Sequence, residues 1–128
     1  MNRHGEILFT WENDILIVQV IGAFNEQGIE YYVPLMRKYV LNRAVDKWSR
    51  LELWDDEALG CPQTLALVKS VYEWYELNGC ILSAVVVSNS IQAQVIRGML
   101  KSDAKTFLVK TEAIEWLNTH NKPFKQDK

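Results

Sequence analysis

The feature that most constrains this chain is its alternation of short β-branched runs with single stretches of helical periodicity. Ile15 to Ile21 is almost continuously apolar, broken only by Gln19, and a run of that kind is expected inside a sheet with both faces covered. Before it, Glu6 to Trp11 alternates and Glu12-Asn13-Asp14 forms a polar turn, so the two segments read as a β-hairpin whose first strand is an edge. Further strands are predicted at Ser49 to Trp54, at Ile81 to Val87 and at Thr106 to Lys110, with Ile81 to Val87 the most apolar and therefore the expected centre.

One helix separates each pair of these strands. Asn25 is a suitable N-cap for the first, running to about Ala44, with Ile29, Val33, Met36 and Val40 as its buried stripe. Pro34 removes a backbone donor and predicts a kink or break near Glu30. Pro62 suits the first turn of the second helix, which ends at Asn78-Gly79. Ser88-Asn89-Ser90 caps a third, to about Ser102, and Thr111 a fourth, carrying Ile114, Trp116 and Leu117. Single helices between strands imply parallel pairing with right-handed crossovers. The pattern ββαβαβαβα thus predicts an α/β fold with a mixed sheet of five strands, the first antiparallel at the edge.

At 128 residues the chain is the size of one domain, expected over 1–120, followed by a polar, disordered tail over 121–128. A net charge of −2 offers no basic field for nucleic acid. No apolar run approaches the roughly 20 residues of a membrane span, and the N-terminus lacks a signal-peptide pattern, so a cytoplasmic chain is expected. The six glycines never form a phosphate-binding motif, and no serine sits in a nucleophile elbow. His4 and His120 lie far apart in the sequence, and no paired Cys or His has metal-ligand spacing. Neither cofactor nor structural metal is expected.

Gly22-Ala23-Phe24-Asn25 turns a buried strand into the first helix, and Thr111-Glu112-Ala113-Ile114-Glu115-Trp116-Leu117 closes the chain's helical pattern. With the N-terminal hairpin, these segments resemble the SpoIIAA-like branch of the anti-sigma-factor-antagonist (STAS) superfamily, over nearly the whole domain. The resemblance implies a regulatory protein switched by a partner kinase, which phosphorylates a serine following an aspartate at the start of the second main helix. This chain departs from that pattern. It reads Gly60-Cys61-Pro62-Gln63-Thr64 there, which leaves Thr64, in the first helical turn, as the available phosphate acceptor.

Other candidate sites come from the residues themselves. Asp55, Asp56 and Glu57 follow the third strand, where open α/β sheets place ligands, and would either hold a divalent cation or form a solvated turn. Cys61 at a helix N-terminus is placed to have a more available thiolate, although no base stands near it in sequence. The second helix is apolar on two sides, Leu65, Val68, Tyr72 and Tyr75 on one and Leu67, Val71 and Trp74 on the other. One side must face the sheet; the other either forms an aromatic surface patch or packs against a neighbouring helix. The favoured reading is a non-enzymatic binding or regulatory module acting on a protein partner or as a homodimer, through Tyr72, Tyr75 and the loop before them. A carrier or sensor of an apolar or anionic small molecule is the alternative, and a cysteine-dependent enzyme comes third.

Overall fold

A computed structural model of the chain describes residues 3–58, 62–101 and 103–121. Its strands are β1 (Glu6–Glu12), β2 (Ile15–Ile21), β3 (Trp48–Trp54), β4 (Cys80–Val86) and β5 (Ala104–Phe107), and they lie side by side in chain order. β1 is antiparallel to β2 and every other neighbour pair is parallel. The helices are α1 (Glu26–Arg43), α2 (Pro62–Leu77), α3 (Ser90–Arg97) and α4 (Lys110–Asn121). Because the strand order never reverses, right-handed crossovers put α1, α2 and α3 on one face of the sheet. The core there joins Leu16, Val18 and Val20 of β2 with Met36 of α1, Tyr75 of α2 and Ile96 of α3. α4 returns across the other face and packs Ala113 and Leu117 on Leu51 and Ala84.

Local chemistry fixes the joints. Asn13 takes φ 55° in the hairpin turn, a conformation asparagine tolerates better than most residues. The Asn25 side chain accepts from the Gly28 backbone N–H and from that of His4, tying the N-terminal segment to the start of α1. Gly79 has φ 107°, and a Cβ there would lie 2.3 Å from the Asp46 carbonyl oxygen, so only glycine fits. That close approach lets the Trp48 N–H donate to the Gly79 carbonyl and the Trp48 indole to that of Asn78, at 2.9 Å each. The starts of β3 and β4 are thereby locked together.

Several expectations need correcting. β3, not the fourth strand, is the centre of the sheet, and all its residues but Leu53 are buried, Arg50 and Glu52 included. β2 is fully covered only on the face of α1, α2 and α3; on the other, Ile15 and Ile17 lie half-buried at the margin of the α4 cluster and Ile21 is half-buried, because α4 packs over β3, β4 and β5. α1 runs uninterrupted through Pro34, which sits on its exposed side, where losing one backbone hydrogen bond leaves no buried polar group. α3 ends at Arg97 with Gly98 as its cap, although Met99 and Leu100 continue the helical spacing. β5 is Ala104–Phe107 rather than Thr106 to Lys110; Leu108 and Val109 are apolar but exposed, and Thr111 falls inside α4. Of the expected tail, Asn121 ends α4 and residues 122–128 lie outside the described residues.

Candidate functional site

Strand alternation makes Trp48, Arg50, Glu52 and Trp54 share the helix face of β3. Two opposite charges thus stand in the middle of the core, 2% and 3% exposed. Burying an ion costs several kcal/mol unless partners replace its water. Here they do. Arg50 Nη1 donates to Glu52 Oε1 at 2.6 Å and Arg50 Nε to Ser83 Oγ at 3.3 Å. The guanidinium carbon lies 4.2 Å and 4.4 Å from the ring centres of Tyr72 and Tyr75, within cation–π range. Glu52 Oε2 accepts from the Trp54 indole at 2.7 Å and from the Tyr72 hydroxyl. Cys80 Sγ lies 3.3 Å from Ser83 Oγ and extends the cluster.

The cluster is held in definite charge states. Burial is the largest single effect and opposes the Arg50 charge, but the Glu52 carboxylate together with Tyr72, Tyr75 and Cys80 outweighs it and keeps the guanidinium ionised. Burial, reinforced by Glu52, pushes the Tyr72 and Tyr75 phenols well above the ordinary tyrosine value, so both are neutral donors at neutral pH. Burial raises the Cys80 thiol too, against the opposing pull of Arg50.

Two cavities meet at this cluster. Between α1, α2 and the sheet lies one of about 50 Å³, with apolar walls from residues such as Val18, Val20, Val33, Met36 and Val68 and with Glu52 on its floor. On the other side of Tyr72, beneath the end of α2, a polar cavity of about 360 Å³ is bordered by Arg50, Glu76, Cys80, Ser83, Lys101 and Asp103. Lys101 and Glu76 form an ion pair of 3.1 Å there. Arg50 and Glu52 therefore form part of the wall between an apolar space and a polar one.

Of the residues singled out from the sequence, Tyr72 and Tyr75 belong to this cluster, but as buried groups, 6% and 3% exposed. They form no surface patch. The second apolar side of α2 packs toward α1, where Arg37 lies 5.5 Å from the Trp74 ring centre. Thr64 is 1% exposed and lines the apolar cavity, so a kinase cannot reach its hydroxyl in this conformation. Asp55 is used by the backbone: its carboxylate accepts the Gly22 N–H at 3.1 Å and 3.0 Å and the Glu57 N–H at 3.1 Å, tying the end of β3 to that of β2. Asp56 and Glu57 are exposed, and no group of three or more His, Cys, Asp or Glu is placed to hold a metal among the described residues. Cys61 lies outside the described residues.

Sequence reasoning missed Arg50, Glu52 and Ser83. Charges in a strand ordinarily mark its solvent face. The available signal was that Arg50 and Glu52 are opposite in sign, share a face, and are flanked on that face by Trp48 and Trp54.

No protein-family model matches the chain, and no curated protein does. Among solved structures, it is similar to an uncharacterized protein of the DUF3478 family with a SpoIIAA-like fold from Shewanella loihica PV-4. The two share 14% sequence identity and superpose with a TM-score of 0.64, over 91% of this chain and 96% of that one. The expected architecture is thus met: this is an α/β protein with a SpoIIAA-like fold. No helix among the described residues is long and apolar enough to cross a membrane.

Proposed function

We propose that the protein is a non-enzymatic binding module that takes the apolar part of a small molecule between α1, α2 and the sheet. One observation carries this reading: an apolar cavity lies directly above a polar floor in which Arg50, Glu52, Trp54 and Tyr72 satisfy one another. A floor already paired in this way asks for no polar partner from the occupant, so shape and apolar surface select it. The cavity is about a third of the roughly 150 Å³ that admits benzene in an engineered core. Uptake therefore requires α1 and α2 to part, along a seam of half-buried side chains such as Leu67, Val68 and Val71. Cys80 supports no competing covalent chemistry, since its neighbours are Ser83 and Arg50 rather than a base and burial holds its thiol protonated.

Native mass spectrometry of the full chain, purified gently from its own cells, tests the reading. A non-protein adduct that is lost on denaturation, and is reduced by Val68→Trp, which fills the cavity from α2, is the expected result. An adduct-free chain would count against the reading, and retention of a stoichiometric protein partner in its place would favour the regulatory alternative.

A further inference from the structure

The seam between α1 and α2 also holds an outer groove of about 200 Å³, lined by Ile29, Val33, Pro34, Arg37, Leu67 and Val71 among others. Ile29, Val33 and Val71 border the inner cavity as well, so groove and cavity share these three side chains as a wall. A single guanidinium stands among the apolar walls. Arg37 is half-buried; its Nε is buried without a hydrogen-bond partner, and the side chain forms no ion pair among the described residues. Its one specific contact among the described residues is with the Trp74 ring. Glu30 also borders the groove, but it is exposed, lies about two helical turns back and does not pair with Arg37. The contrast with Arg50 is informative, because that guanidinium is buried with a carboxylate, a hydroxyl and two rings around it. A buried N–H of a charged group without an acceptor is unfavourable, and a carboxylate at the groove supplies the acceptor that Nε lacks.

We infer that Arg37 anchors the head group of the ligand, which is an anionic amphiphile: a monocarboxylate whose apolar chain runs from Arg37 between α1 and α2 into the inner cavity. This inference rests on the cavity reading above and adds the ligand's charge and direction. The direction follows from the floor. Arg50, Trp54 and Tyr72 already donate to Glu52, so the inner end offers a carboxylate no free donor, and the charged end belongs at the outer groove with the chain end inside.

Calorimetric titration of the full chain with octanoate and with octan-1-ol, near neutral pH, tests it. Octanoate is expected to bind about tenfold or more tightly than the alcohol, in line with a charge-assisted hydrogen bond. Arg37→Met, which keeps the side-chain stem, should bring octanoate down to the level of the alcohol while leaving the alcohol unchanged. That unchanged binding also shows that the variant folds. Arg37→Lys should recover part of the preference. Equal binding of both probes by the unaltered protein, or an equal loss of both in Arg37→Met, overturns the role of Arg37 and leaves the cavity reading standing. If neither probe binds, the cavity reading falls and the inference falls with it.

Discussion

Replacing Arg50 by methionine removes the charge that Glu52 faces while keeping a side chain of similar reach. Glu52 would then keep two donors, the Trp54 indole and the Tyr72 hydroxyl, but no counter-ion in a position 3% exposed. Breaking a buried pair by deleting one partner typically costs about 3–5 kcal/mol. Against a total stability of about 5–15 kcal/mol, that is a large fraction. Urea unfolding at neutral pH should show the midpoint falling by about 2–3 M with little change in slope. Restoring neutrality should recover most of the loss. In the double variant Arg50→Met with Glu52→Gln, the amide still accepts from Trp54 and Tyr72, so it should be more stable than Arg50→Met alone by about 2 kcal/mol or more. The decisive quantity is that coupling. If Arg50→Met costs less than about 1 kcal/mol, or if the two substitutions simply add, Arg50 and Glu52 are not a mutually dependent buried pair and the account of the floor is wrong.

Stability should fall steeply at high pH. The folded state holds the Tyr72 and Tyr75 phenols protonated above the ordinary value near 10, so their contribution is complete below about pH 10 and is lost as the unfolded chain ionises above it. Two such groups give a slope of about −2.7 kcal/mol per pH unit above that point, and urea midpoints across the alkaline range measure it. A flat profile, or native-state ultraviolet titration showing every tyrosine ionising near pH 10, would contradict the burial. Thr64→Glu places a charge at a site 1% exposed and should cost about 3 kcal/mol or more, measured by thermal unfolding. A neutral outcome would mean that the start of α2 opens readily and would return Thr64 to consideration as a phosphate acceptor.

Much of the fold could be read along the chain because it depends on local chemistry. Asn25 caps a helix wherever its side chain can reach back to the Gly28 N–H, and the Asn78-Gly79 stop ends α2 because glycine alone fits beside Asp46. Element boundaries failed where an apolar sequence met an exposed place in the structure, as at Leu108 and Val109, since hydrophobic runs record composition and not burial. The site was less legible. Tyr72 and Tyr75 stood out by residue type, but which way they faced depended on how α1 lies against α2, which neither helix specifies alone.

The strands and helices among the described residues, the antiparallel edge and the parallel order of the rest were all legible along the chain, because strand period, caps and crossover handedness act locally or between neighbours. That the centre of the sheet is the strand carrying Arg50 and Glu52 came from the packing of distant segments. The placement of Arg37, whose buried Nε has no acceptor beside the cavity wall, was decided there too. The physical reason is common to both. Whether a charged group is tolerable, paired or waiting for a partner is settled by what surrounds it in space, and those surroundings come from segments far apart in the chain.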